Sequence, residues 1–392
     1  MSLKTYENIQ KLPHIGGLIL VAFVFAALHL INDGNDSINQ QCDLFSGRWV
    51  YDDIACPPYK EEQCSFMEYD FACETYGRQD LKYQNWRWQP HHHCDLPRFN
   101  GAALLEKIKG KKLIFVGDSL IRNQWRSMLC LIESYLPLSS NKSLGYNATI
   151  GFYWSPMLVE SNGDDTKAHA ASSGVTVRVE SIEEHGRHWV DADILVFDSF
   201  AWWMGRQLTI LWGSFGSPNA TQKRVERSLR PLEIALSTWS DWLEMNINRT
   251  KTKLFFMSLS PFHFKYAYKI FFNDVSCSGE SWDVEQNCYN QTEPILKEDY
   301  WGIATSRDVM GIVESTIQKL EERGVKVEYL NITHLSDYRK DAHPSIYREF
   351  PHTISAKQLA NPKSYSDCMH WCLPGLPDVW NQILYSYIIN SS

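Results

Sequence analysis

A short apolar run, Lys112-Leu113-Ile114-Phe115-Val116, hands over to a helix-patterned segment through Gly117-Asp118-Ser119. That junction constrains the fold more than any other stretch. The run is partly β-branched, as an interior parallel strand should be. Beyond it Ile121, Trp125, Met128, Leu129 and Ile132 recur at helical spacing. A strand passing into a helix puts the Ser119 hydroxyl at the C-terminal edge of a sheet, beside a helix N-terminus. Such a position exposes a nucleophile and supplies backbone N–H groups for a developing oxyanion. Gly-Asp-Ser is also ordinary turn and N-cap chemistry. A catalytic reading therefore needs a partner histidine.

The same alternation recurs along the chain. Lys112–Val116, Val175–Val179, Ile194–Phe197, Lys253–Ser258 and Val325–Leu330 read as strands. Leu120–Tyr135, Leu232–Asn246, Ser306–Arg323 and Asp378–Ile389 read as helices, the third with Val309, Ile312, Val313, Ile317 and Leu320 on one face. The pattern predicts an α/β domain with a mainly parallel sheet. Before it, residues 41–99 are rich in Cys, Trp, Tyr and Pro and show little helical periodicity. They read as a small disulfide-held subdomain.

Ile15 to Ile31 is apolar apart from His29 near its end, at the lower limit of about 17 residues for a bilayer-spanning helix. Lys4 and Lys11 precede it and Asp33 and Asp36 follow. The positive-inside rule then leaves the N-terminus cytosolic and sends the rest into a lumen. A cleaved signal peptide is the alternative, but the run is long for one and the cleavage pattern is poor. The expected organisation is a cytosolic tail at 1–14, a transmembrane signal anchor at 15–32 and a stem at 33–40. The small subdomain at 41–99 and a large domain at 100–392 follow.

A lumenal address agrees with two further features. Glycosylation sequons begin at Asn35, Asn141, Asn147, Asn219, Asn248, Asn290, Asn331 and Asn390. The ten cysteines are even in number, and Cys42, Cys56, Cys64, Cys73 and Cys94 crowd the first hundred residues. In an oxidising compartment these read as disulfides. A metal alternative exists, since Cys94 follows His91-His92-His93 and Cys368 and Cys372 flank His370. The lumenal address favours disulfides, and no metal is expected. A net charge of −8 argues against nucleic acid as a partner.

Asp367 and His370 stand three residues apart just before the final helix. A compact turn lets that carboxylate hold the imidazole while His370 takes the Ser119 proton. A rival pair, Asp341 and His343, lies two residues apart. On an extended segment those two side chains would point the same way. The basic neighbours Arg339 and Lys340 suit a substrate site better than a base.

Gly-Asp-Ser with a late Asp-x-x-His resembles the SGNH, or GDSL-like, hydrolase superfamily. The resemblance becomes closer at Cys42–Val50, Tyr83–Pro90, Phe115–Gln124, Phe152–Pro156, Cys288–Thr292, Tyr338–Tyr347 and Asp367–Gly375. Together these look like the plant trichome-birefringence-like family, over essentially everything after Gln41. That resemblance implies an SGNH-like three-layer fold and Golgi O-acetylation of a cell-wall polysaccharide. Xylan is the first choice of acceptor, because Cys288–Thr292 and Tyr338–Tyr347 look most like the xylan-directed branch. It implies Ser119, His370 and Asp367 as triad, with Gly117, Asp118, Arg122 and Asn123 ordering the site. It also implies disulfides Cys42–Cys94, Cys64–Cys130, Cys73–Cys372 and Cys288–Cys368. Cys56 and Cys277 remain and are expected to pair.

Trp86, Arg87, Trp88, Trp154, Trp202, Trp203, Arg339 and His343 are candidates for binding the polysaccharide, although each aromatic is equally a core residue. No bound cofactor is expected. The acetyl donor, acetyl-CoA or an acetylated intermediate, enters as a co-substrate. Sequence leaves the oligomeric state open. An acetylesterase using the same triad and a wall-polymer binding protein are the alternatives.

Two positions depart from the family pattern. Phe197-Asp198-Ser199 stands where relatives typically read Phe-Asn-Thr before a Trp-Trp pair, here Trp202-Trp203. An Asn there donates N–H toward an oxyanion and an ionised Asp does not. Backbone N–H groups suffice, or Asp198 is protonated, or it has another task. The second departure is Gly151, at a position where an acidic residue is common.

Overall fold

In chain order the strands are β1 (Gly47–Tyr51), β2 (Trp86–Pro90), β3 (Lys112–Gly117), β4 (Thr149–Trp154), β5 (Val175–Arg178), β6 (Ile194–Phe197), β7 (Leu208–Gly213), β8 (Thr221–Glu226), β9 (Lys253–Met257) and β10 (Val327–Leu330). The longer helices are α1 (Gly101–Lys107), α2 (Ser119–Glu133), α3 (Arg230–Asn246), α4 (Arg307–Glu322) and α5 (Leu376–Asn390). The computed structural model describes residues 42–54, 57–91, 94–136, 146–165, 174–204, 208–213, 221–226, 229–263, 287–297, 300–302, 306–350 and 353–390. Ile15–Ile31, Cys56, Cys277 and the sequons at Asn35, Asn141 and Asn219 lie outside the described residues. Among the described residues no helix is long and apolar enough to cross a membrane.

The central sheet runs β10–β9–β6–β3–β4, with every pair parallel. Its first strand, β3, sits between β4 and β6, so the winding reverses at β3. In such doubly wound sheets the crevice beyond that strand's C-terminal end is where ligands bind. Gly117-Asp118-Ser119 occupies that point.

Helices cover both faces. Neighbouring residues of β9 point to opposite sides. Phe256 meets Trp239 of α3 at 5.3 Å between ring centroids, and Phe255 meets Tyr387 of α5 at 6.1 Å. α1, α2 and α5 pack together, and α3 packs with α4. The sheet centre is the continuous apolar strand β6, buried at all positions.

One expectation about the sheet needs correction. Val175–Val179 forms a strand, but β5 pairs with β7, and β7 with β8, in a separate sheet. Its burial alternates, with Val175 and Val177 inside and Arg178 exposed. That is the pattern of a half-buried strand and not of an interior one. The edge place beside β3 belongs to β4, which the sequence pattern did not reveal. Gly151 of β4 pairs with Ile114, and a Cβ there would stand 3.0 Å from Ile114 Cδ1. A larger residue would crowd that register.

β1 and β2 form an antiparallel ribbon fastened onto the large domain. Arg339 is the fastening, bonding Asp341 through two 3.0 Å contacts and the Tyr83 carbonyl at 2.7 Å, with its guanidinium over Trp49. Disulfides Cys42–Cys94, Cys64–Cys130, Cys73–Cys372 and Cys288–Cys368 are present, the pairings that the resemblance implied. Cys94, Cys368 and Cys372 are thereby consumed as disulfides and are not thiolate ligands beside their histidines.

Candidate active site

The turn between β3 and α2 is built by sterics. Gly117 has φ of +151°, and a Cβ on it would lie 2.1 Å from the Asp198 carbonyl oxygen. Only glycine lets the strand end so close to the next one. Asp118 then caps α2, its Oδ1 accepting the Leu120 N–H at 2.8 Å. Ser119 is the first residue of the helix and is half-buried.

The Ser119 hydroxyl donates to His370 Nε2 at 2.7 Å. His370 Nδ1 donates to Asp367 Oδ2 at 2.8 Å. The other Asp367 oxygen accepts the backbone N–H groups of Met369 and His370, each at 3.0 Å. Arg348 Nη1 closes on Asp367 Oδ2 from outside the loop. Burial alone would raise this carboxyl. The charges of His370 and Arg348 and the accepted hydrogen bonds overcome it, and Asp367 is held far below the usual carboxylate range.

The loop carrying His370 is anchored on several sides. Asn123, one turn beyond Ser119, accepts the Trp371 N–H at 2.8 Å and donates to the Trp371 carbonyl at 3.2 Å. Cys372 N–H goes to Ala342, and Leu373 N–H to Phe71. The Phe71 ring lies 5.9 Å from the His370 ring. Asp70, beside it, joins two cations: it accepts from Arg122 at 3.2 Å and from Arg348 at 2.7 Å. The small subdomain thus forms one wall of the site. Arg122 faces Asp70 and Glu68 rather than Ser119.

Asp198 neighbours Asp118 behind the nucleophile turn. Both carboxyls are fully buried, and among the described residues neither Asp198 oxygen has a hydrogen-bond partner. Burial, and then the charge of Asp118, push Asp198 well above the usual range, and burial pushes Asp118 up as well. Two neighbouring buried carboxyls resist carrying two charges, and Asp198 is the one raised further.

The candidate polysaccharide contacts divide. Trp154 pairs in register with Gly117, which puts it at the sheet edge beside the serine. Trp154 and Trp202 are both half-buried and pack edge to face at 5.9 Å. Phe152 and Trp125 extend the same row at 6.3 and 5.5 Å. Trp86 and Arg87 are half-buried on β2 and line a separate cleft of about 750 Å³ with Tyr51 and Asn85, whose walls do not include Ser119 or His370.

Four of the expected contacts are corrected. Trp88 and Trp203 are core residues, with indole N–H groups bonded to the Leu44 carbonyl and Ser199 Oγ. Arg339 and His343 are each 1% exposed and out of reach of a polymer. Asp341 engages Arg339, not His343, because residues 340–342 form a 3-10 turn and the extended alternation does not apply. Of the sequons, Asn147, Asn248, Asn290 and Asn390 are exposed and Asn331 is half-buried. Arg348, Asp70 and Phe71 have no motif of their own and were not legible as site residues.

Residues 96–387 match the model of a GDSL/SGNH-like acyl-esterase family found in Pmr5 and Cas1p. Residues 40–95 match the PMR5 N-terminal domain. Protein trichome birefringence-like 34 of Arabidopsis thaliana is 45% identical over 377 residues, covering 92% of this chain and 88% of the relative. Xylan O-acetyltransferase 14 of Oryza sativa subsp. japonica is 46% identical over 374 residues, covering 89% and 78%. Xylan O-acetyltransferase 12 of the same rice is 43% identical over 373 residues, covering 91% and 71%.

Proposed function

The chain belongs to this GDSL/SGNH-like acyl-esterase family, and we propose that it is a xylan O-acetyltransferase working through an acetyl-serine at Ser119. The observation that carries the reading is the unbroken hydrogen-bond chain from Ser119 through His370 to an Asp367 held as carboxylate.

In the first step His370 Nε2 takes the Ser119 proton as Oγ attacks the acetyl carbonyl of the donor. The oxyanion collapses, the donor's leaving group takes the proton from His370, and the acetyl group stays on Ser119. In the second step His370 accepts the proton of a xylan hydroxyl, whose oxygen attacks the acetyl-serine. Ser119 leaves and recovers the proton. Asp367 stays ionised throughout and stabilises the imidazolium. The Ser119 backbone N–H at the start of α2 is the proposed oxyanion donor, the Leu120 N–H being taken by Asp118.

Transfer instead of hydrolysis requires an oriented acceptor, for which effective molarities of roughly 10⁵ M or more are available. Trp154 and Trp202, beside the serine, are the proposed platform. The donor is acetyl-CoA or an acetylated intermediate. The proposed address is the Golgi membrane, single-pass through Ile15–Ile31 with the large domain lumenal, which suits the disulfides.

The test is incubation with acetyl donor and deacetylated xylan oligosaccharides, read by mass spectrometry. Acetylated sugar that disappears in Ser119→Ala supports the proposal. Acetate release without acetylated sugar would instead make the protein an esterase.

A further inference from the structure

Behind the catalytic loop lie two buried imidazoles and a buried carboxylate with no part in the steps above: His263, His343 and Asp337. Their four ring nitrogens have fixed neighbours. His343 Nδ1 faces the His370 carbonyl oxygen at 2.6 Å, and His263 Nε2 faces the Asp337 carbonyl oxygen at 3.0 Å. A carbonyl oxygen only accepts, so both of these nitrogens carry hydrogen. The remaining two, His263 Nδ1 and His343 Nε2, meet at 2.7 Å. Two bare lone pairs repel at that distance, so a hydrogen lies between them. Three hydrogens on two imidazoles make one positive charge.

The surroundings favour that charge on His263. Its Nε2 also lies 3.5 Å from the carboxylate Oδ1 of the fully buried Asp337. Burial, and then the neighbouring His263, push His343 well below the ordinary imidazole range; the hydrogen bond to the His370 carbonyl and the charge of Asp367 oppose that shift, and the charge of His370 adds to it. Asp337 is itself held by the Gly302 N–H at 2.5 Å. A buried ion pair of this kind persists only while both members and their hydrogen bonds are present.

What the pair holds is the carbonyl of His370, in a loop fixed at several other backbone groups. His370 N–H is taken by Asp367, both Trp371 backbone groups by Asn123, and Cys372 N–H by Ala342. The His370 carbonyl is fixed by His343. His263 also grips the loop through its backbone, its N–H donating to the Cys368 carbonyl at 2.9 Å. The His343 ring stacks on Trp371 at 3.8 Å.

We infer that His263 and Asp337 form a buried charged couple that acts through His343 as a positioning device, fixing the peptide plane from which the His370 imidazole projects. None of the three touches substrate. The inference rests on the proposed role of His370 as the base, and its test separates the two.

The full chain, labelled with ¹⁵N-histidine, is read by NMR at about pH 8, where a free imidazole of pKa ~6.5 is neutral. One ring with both nitrogens protonated and hydrogen-bonded to a second, neutral Nδ1–H ring is expected, and His263→Gln removes the first signature. Two neutral rings would overturn the inference, whatever the enzyme's activity. Asp337→Asn and His263→Gln are then compared in the rate at which a fluorophosphonate labels Ser119 and in acetyl transfer. Both rates are expected to fall about tenfold or more, with KM for xylo-oligosaccharide nearly unchanged, as for a misplaced catalytic group. Folded variants labelled as fast as wild type would also overturn it. Should a variant not fold, the wild-type spectrum decides. Should wild-type Ser119 resist the label, the catalytic reading fails while the spectrum still tests the charge.

Discussion

Asn123 and Trp371 exchange two hydrogen bonds, one in each direction, across 248 residues of chain. Asn123 belongs to the helix that begins with Ser119, and Trp371 follows His370. The exchange fixes the distance between nucleophile and base from the protein side, before any substrate arrives. Asn123→Ala leaves a buried N–H and a buried carbonyl unpartnered, each costing about 1–3 kcal/mol. The expected result is a lower melting temperature with kcat down by as much as ~10²-fold. Unchanged kcat in a destabilised but folded variant would assign Asn123 to stability alone.

Arg348 and Asp367 set the acid side of the pH profile. The carboxyl of Asp367 is depressed, so the stability it contributes is present above the unfolded value of ~3.9 and is lost as pH falls toward its folded value. Arg348→Gln removes one of the charges that overcome burial, so Asp367 takes its proton at a higher pH. The acid limb of the stability curve should move upward in pH. Activity at neutral pH should drop about tenfold to a hundredfold, the scale of a charged hydrogen bond worth ~1.5–3 kcal/mol.

The buried pair Asp118 and Asp198 gives the opposite sign. Asp198 is raised in the folded protein, so its stabilising protonation is complete below the unfolded value of ~3.9 and is lost as pH rises through the folded value. Asp198→Asn removes the second ionisable group beside Asp118 in nearly the same volume. Its melting temperature should match wild type at acid pH and exceed it increasingly toward alkaline pH, with transfer activity within a few-fold. Parallel melting curves against pH for the two proteins would show that Asp198 is not raised on folding.

How much of this was legible in the sequence depends on where each partner comes from. β3, β6, β9 and β10 announce themselves as local apolar runs. β4 does not, because Gly151 interrupts its pattern and every side chain after Thr149 is only half-buried. β5 was readable as a strand, yet which sheet it joins is a long-range choice that no local pattern carries. Ser119, Asp367 and His370 lie in compact motifs. Asp70 and Arg348 are single charged residues that meet across 278 positions, and nothing near either one marks it. His343 was visible as half of an Asp-x-His pair, but burial turned it inward to His263, where the sequence suggested a surface role.

Cys73 and Cys372 join the small subdomain to the base loop across a separation of 299 residues. A closure of that length restricts the unfolded chain strongly, and losing such a bridge costs roughly 2–5 kcal/mol. Cys372 also lies two residues from His370, so local loosening should be felt first in catalysis. Mild reduction followed by activity and near-ultraviolet circular dichroism should show activity falling ahead of global unfolding. Coincident loss of the two signals would mean that the bridge supports the fold without separately ordering the site.

Trp154 separates acceptor binding from chemistry. Its ring stands at the sheet edge in register with Gly117, its indole N–H fixed to the Gly163 carbonyl at 2.9 Å and its ring packed edge to face with Trp202. If xylan stacks there, Trp154→Ala removes an aromatic contact worth about 0.5–1.5 kcal/mol beyond its buried area, and KM for xylo-oligosaccharide should rise roughly three- to tenfold. Fluorophosphonate labelling of Ser119, which needs no acceptor, should stay near the wild-type rate. A loss of labelling equal to the loss of transfer would show instead that Trp154 supports the nucleophile turn, and would move the acceptor platform away from β4.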